Sequence, residues 1–188
     1  MNSTWSALIL TGGTSKRFGS DKSEALIDGR ALIDHVLDSI SAEVPVIVVG
    51  PRRDNFPSRV AVIQEQPLHA GPVAGIAAGM TLVTTEFVAL LATDMPYAGT
   101  FVPQLLAKLS ESVDGVVAVD AEGFVQPFCG VYRVKALMGA LSDMGILTDE
   151  SMRNLLSHLK LSRVNLEESS RVLVDIDTQE DLQRTGLQ

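Results

Sequence analysis

Seven short runs rich in apolar and β-branched residues recur along the 188-residue chain, at 7–10, 44–49, 60–63, 87–91, 115–119, 128–132 and 172–176. They read as strands buried on both faces. Between several of them, at 31–40, 73–83, 101–109 and 134–141, apolar residues return with helical spacing. Strand alternating with helix requires crossover connections, which favours a three-layer α/β fold around a mainly parallel sheet.

Local punctuation sets the boundaries. Gly71-Pro72 opens a helix running to about Val83, and Pro103 stands in the first turn of the next. Pro51 and Pro57 mark a loop after the second run. Thr148 is read as the cap of a further helix, with Asp149 and Glu150 in its positive first turn. Nearly half of the residues are apolar, enough for a full core, and no repeat or low-complexity linker interrupts them, so residues 1–188 are expected to form one domain.

The formal net charge of −8 argues against nucleic acid or an anionic membrane as the main partner. Residues 1–6 lack a basic stretch leading into a long apolar one, and no apolar run approaches a membrane span, so a cytoplasmic chain is expected. The single cysteine, Cys129, excludes an internal disulfide framework and reads as a small buried hydrophobe. His35, His69 and His158 are scattered without a ligand pattern. His69 reads as an exposed loop residue, with contact to substrate as the alternative.

Against this acidic background, Leu10-Thr11-Gly12-Gly13-Thr14-Ser15-Lys16-Arg17-Phe18-Gly19-Ser20-Asp21-Lys22 gathers glycine and three cations just after the first strand. Glycine lets backbone N–H groups approach a ligand, and Lys and Arg supply the charge a polyphosphate needs. Two familiar phosphate motifs fail. A P-loop has four residues between its glycines and then Gly-Lys-Ser/Thr, whereas five residues separate Gly13 from Gly19 and Ser20-Asp21 precedes Lys22. The dinucleotide register of Gly-x-Gly-x-x-Gly is also absent. Further on, Asp94 ends an apolar strand in Ala92-Thr93-Asp94-Met95-Pro96, where open α/β sheets place ligands. A carboxylate beside a triphosphate suits Mg²⁺, which takes one or two protein carboxylates plus phosphate oxygens. The competing reading of Asp94 is a turn-starting residue ahead of proline.

The order Leu-Thr-Gly-Gly-x-Ser-x-Arg-Phe-Gly-x-Asp-Lys resembles the signature of molybdenum cofactor guanylyltransferases, a branch of the Rossmann-like nucleotidyltransferases. The resemblance implies that Arg17 and Lys22 hold the triphosphate, that backbone from Leu10, Thr11, Gly12 and Gly13 encloses the nucleotide, and that Asp94 binds Mg²⁺. Gly71-Pro72-Val73-Ala74-Gly75 is similar to a family segment whose glycines, here Gly71 and Gly75, line the cleft. The chain departs from many relatives by offering Val49-Gly50 and Gln66 where they carry an Asn and an acidic residue for the nucleotide. Gln66 is therefore carried as a nucleotide-binding position with the base choice open.

Three weaker similarities keep two readings each. Residues 126–132 resemble a strand near the pterin's approach, or form an edge strand. Arg153 resembles an Arg that reaches the cofactor phosphate, or is an exposed helical charge. Asp175 and Asp177 offer a second metal contact, although Asp177 with Glu180 also makes a helix start. The implied activity is Mg²⁺-dependent transfer of GMP from GTP to molybdopterin, with transient contacts to proteins that supply or accept the cofactor. A CMP or other NMP transferase acting on another phosphorylated acceptor, or a silent nucleotide-binding module, remains open.

Overall fold

The computed structural model describes residues 4–11, 26–27 and 29–165. In chain order these give β1 (Trp5–Leu10), β2 (Leu26–Ile27), β3 (Arg30–Ala31), α1 (Leu32–Asp38), β4 (Val46–Val49), β5 (Val60–Ile63), α2 (Pro72–Met80) and β6 (Phe87–Ala92). A single turn of 3₁₀ helix, Ala98–Phe101, leads into α3 (Val102–Ala107), followed by β7 (Gly115–Val119), β8 (Val125–Arg133), α4 (Val134–Met144), α5 (Met152–Ser157) and β9 (Leu161–Asn165). Seven strands form one sheet in the order β5-β4-β1-β6-β8-β7-β9. Within it, β8 runs against both neighbours and the other pairs are parallel.

Alternation along the strands sorts the core into two layers. Ala7, Ile9, Ala89 and Leu91 pack with Ile33 and Val36 of α1 and Leu105 of α3. Leu8, Leu10, Val88 and Leu90 face the other way, onto Val73 and Ile76 of α2, Leu137 of α4 and Leu155 of α5. The expected three-layer α/β/α arrangement with a mostly parallel sheet is thus the observed one. No helix among the described residues is long and apolar enough to cross a membrane.

The differences from the sequence reading have physical causes. The second strand starts at Val46 because Pro45 has no N–H for a ladder; its carbonyl instead accepts the Ala7 N–H at 2.9 Å. The helix assigned to Thr148 begins three residues later. Ser151 is its cap, accepting the Asn154 N–H at 3.1 Å, while Asp149 takes φ +59° ahead of the helix. The edge reading of residues 126–132 is also wrong, since β8 lies between β6 and β7. Pro127 is accommodated where the register slips between Val117 and Ala118, so that no ladder bond is asked of it. Strand β9, half-exposed and paired among the described residues with β7 alone, has too few apolar residues to stand out in sequence. The run at 172–176 lies outside the described residues.

Candidate functional site

The chain moves outward from β1 to β4 and β5, then returns through α2 to β6 on the other side of β1. This reversal opens a crevice at the carboxyl ends of β1 and β6, the usual ligand position in such sheets. Leu10 pairs with Ala92 there, so Thr11 and Asp94 follow at the same end of adjacent strands. Thr11, which directly precedes the glycine and cation segment in sequence, lies at this end. That segment's Gly12, Gly13, Arg17 and Lys22 lie outside the described residues, as do Asp175 and Asp177. Asp94 is half-buried in a tight turn closed by the Met95 N–H to Ala92 O bond at 3.2 Å. One partly exposed carboxylate at the switch point fits Mg²⁺, whose other ligands come from phosphate and water.

A cleft of about 350 Å³ lies beside this crevice, between the ends of β1 and β4 and the start of α2. That volume falls within the range of small-molecule sites. Leu10, Gly71 and Gly75, carried from the sequence reading, line it, and Gln66 is exposed outside it. Thr11 is buried beneath, its N–H and its hydroxyl both donating to Val49 O at 3.1 Å. The hydroxyl fills the space a side chain at Gly50 would need: a Cβ there would collide with Thr11 Oγ1, and Gly50 has φ +153°. This interlock explains why no side chain projects from the end of β4.

Helix α2 approaches the sheet closely because Gly75 and Gly79, four residues apart, face it. A Cβ at Gly79 would come within 2.6 Å of Leu8 Cδ1, and one at Gly75 within 3.5 Å of Leu10 Cδ2. The helix N-terminus therefore opens onto the cleft, where N–H groups without an intrahelical partner and the positive end of the dipole suit an anion.

The opposite wall carries groups that the sequence reading did not assign to a ligand. Glu65 faces the cleft, and its Oε1 accepts the His69 N–H at 3.0 Å. His69 itself is exposed, at φ +63°, as the loop reading expected, and lines the same cleft. Asp149 reaches the cleft from the α4–α5 connection, its N–H donating to Ala70 O at 2.8 Å. Only the fold joins these loops, which are some eighty residues apart in sequence.

A second groove, near 600 Å³, runs between the β7–β8 turn, α5 and β9, with Phe124, Arg153 and Arg163 along it. Asp120 shapes that turn by accepting from Phe124 N at 2.7 Å and from Gln126 Nε2 at 2.8 Å. Arg153 is exposed. Away from both grooves, burial pushes the Cys129 thiol up to about 12 and raises Tyr132, with Cys129 a lesser cause for the latter. These are core groups. Tyr132 donates its hydroxyl to Pro127 O at 2.9 Å.

The profile of the MobA-like NTP transferase domain matches residues 7–164. A protein of Natronomonas pharaonis described as a probable molybdenum cofactor guanylyltransferase is 30% identical over 191 residues, covering 94% of each chain. A Bacillus cereus protein with the same description is 30% identical over 195 residues, covering 95% of this chain and 94% of its own. Among solved structures, molybdopterin-guanine dinucleotide biosynthesis protein A of Archaeoglobus fulgidus superposes with a TM-score of 0.71 at 20% identity, covering 96% of both chains. A 4-diphosphocytidyl-2C-methyl-D-erythritol synthase of Anaerococcus prevotii gives 0.68 at 16% identity, over 98% of this chain and 95% of that one. At such identities the likeness is one of fold.

Proposed function

We propose that this chain, which belongs to the MobA-like NTP transferase family, transfers GMP from GTP to the phosphate of molybdopterin and releases pyrophosphate. The observation that carries the reading is the placement of a small-molecule cleft and the α2 N-terminus on one side of the switch point and of Asp94 on the other. The nucleoside lies in the cleft and its phosphates run toward Asp94.

An oxygen of the acceptor phosphate attacks the α-phosphorus of GTP. The bond from that phosphorus to the bridging oxygen breaks, and its electron pair leaves with pyrophosphate. The acceptor needs no strong base, because a phosphate monoester with a second pKa of about 6 is already mostly dianionic at neutral pH. What the chain must supply is in-line placement and compensation of negative charge. Lys22 and Arg17 grip the triphosphate, and the N–H groups at the start of α2 face the anion. Asp94 would hold Mg²⁺, which would supply charge withdrawal at the phosphate oxygens. Exposed Arg153, beside Phe124, supports a phosphorylated acceptor arriving along the second groove.

The test is pyrophosphate release with molybdopterin and each of GTP, CTP and ATP in turn. GTP is expected to support turnover. Preference for CTP would make the chain a cytidylyl transferase, and no release with any nucleotide would make it a binding module.

A further inference from the structure

We propose that Asp149 reads the base of the nucleotide, its carboxylate accepting hydrogen bonds from the ring N–H and the exocyclic amino group of guanine; this rests on the guanylyl-transfer reading above. Asp149 is exposed and lines the cleft, and the hydrogen bond found for it among the described residues is made by its backbone N–H, which leaves the carboxylate to a ligand. It is held there by its backbone. The φ of +59° is one that few residues other than glycine adopt, though Asp and Asn tolerate it. The Asp149 N–H to Ala70 O bond stitches the α4–α5 connection to the entrance of α2, and a Cβ at Gly71 would lie 3.5 Å from Asp149 Cα. Such local strain is retained where the surrounding structure fixes it, and it clusters at ligand sites.

The other polar groups at the cleft are less suited to the task. One oxygen of Glu65 is engaged by the His69 N–H, Gly50 carries no side chain, and Gln66 is exposed away from the lining. Gln64 lines the cleft, but its amide both donates and accepts and so favours no single base edge. An ionised carboxylate only accepts. Guanine alone among the common bases offers two adjacent donors, N1–H and the 2-amino group, to such an acceptor. Adenine and cytosine would each turn a ring-nitrogen lone pair toward it. Asp149 thereby supplies, from another part of the chain, the acid that the sequence lacks at Gln66.

The experiment measures equilibrium binding of GTP, ATP and xanthosine triphosphate, with Mg²⁺, to the full chain and to Asp149→Asn and Asp149→Gly. Xanthine replaces the 2-amino donor with a carbonyl acceptor. Asn keeps the backbone conformation but offers an amide N–H, so Asp149→Asn is expected to weaken GTP about 10- to 100-fold and to bind xanthosine triphosphate more tightly than the unaltered chain does. Asp149→Gly, which the backbone also accepts, is expected to lose most discrimination between the two. Unchanged GTP affinity and an unchanged GTP to xanthosine triphosphate ratio in both variants would overturn the proposal. So would a ratio reversed by Glu65→Gln and not by Asp149→Asn. An unaltered chain that does not prefer GTP to ATP would overturn the guanylyl reading itself, and that result is visible before any variant is compared.

Discussion

Glycine clears space in two parts of the sheet, between β7 and β8 and between β1 and β4, and the space meets different fates. On the β7–β8 side, a Cβ at Gly130 would lie 2.8 Å from the Tyr132 hydroxyl oxygen and one at Gly115 would lie 3.0 Å from Tyr132 Cδ1. The buried Tyr132 ring has filled that space, and its hydroxyl is satisfied by Pro127 O. On the β1–β4 side, Thr11 fills the room beside Gly50, yet above it a cleft stays open between Leu10, Gly71 and Gly75. Apolar side chains close the first space. The second is walled partly by backbone and by Glu65 and Asp149, which gain more from a polar ligand than from each other. A glycine therefore marks a site only where no neighbouring side chain takes the vacated volume.

The sharpest way to break this contrast is at the chemistry itself. Asp94→Asn is expected to lower turnover at least about 10³-fold with little change in melting temperature, because one oxygen ligand and its charge are lost from a partly exposed position. Full activity with an unaltered Mg²⁺ titration would remove Asp94 from the site. Lys22→Ala should lower kcat/KM for GTP about 10²-fold and leave the fold intact. Unchanged steady-state kinetics would detach the cation segment from the triphosphate.

Gly50→Ala must displace Thr11 and is expected to destabilise by about 2 kcal/mol in denaturant titration while weakening nucleotide binding. Tyr132→Phe removes one hydrogen bond on the other side and should cost about 1 kcal/mol with nucleotide affinity unchanged. A loss of affinity in the second variant would show that the two sides are not separable.

The smallest effect concerns Cys129. Its thiol stays neutral in the fold up to about pH 12 but ionises in the unfolded chain from about pH 9. Above pH 9 the unfolded state therefore binds fewer protons than the folded one, and stability falls as pH rises toward 12. Cys129→Ala should flatten that decline in alkaline denaturation curves. A thiol reagent should label the native chain slowly at pH 8, and rapid labelling would contradict the burial.

The same contrast explains what was legible in the sequence. Strands buried on both faces, such as β1, β4 and β6, carry unbroken apolar runs, so the sheet's centre could be read directly. The alternation with helices fixed the layers. Strand β9, with half-exposed residues, carried no such signal. Of the candidate site residues, Leu10, Gly71, Gly75 and Asp94 stand beside strand ends or helix starts, where local pattern predicts position. Glu65 and Asp149 become neighbours only after the loops meet through Ala70 and Gly71. Even the acids at 149 and 150 suggested a helix start, since a cap reading competes with a backbone turn that tertiary contact decides.

On the proposed reading the nucleoside is held on the β1–β4 side of the sheet and not in the groove beside α5. Hydrogen exchange of the full chain with and without GTP and Mg²⁺ tests it directly. Slower exchange is expected in the segments 50–51, 64–75 and 146–150, with that in 120–126 and 153–163 unchanged in the absence of acceptor. Protection confined to 120–126 and 153–163 would contradict the account and move the nucleotide to the other groove.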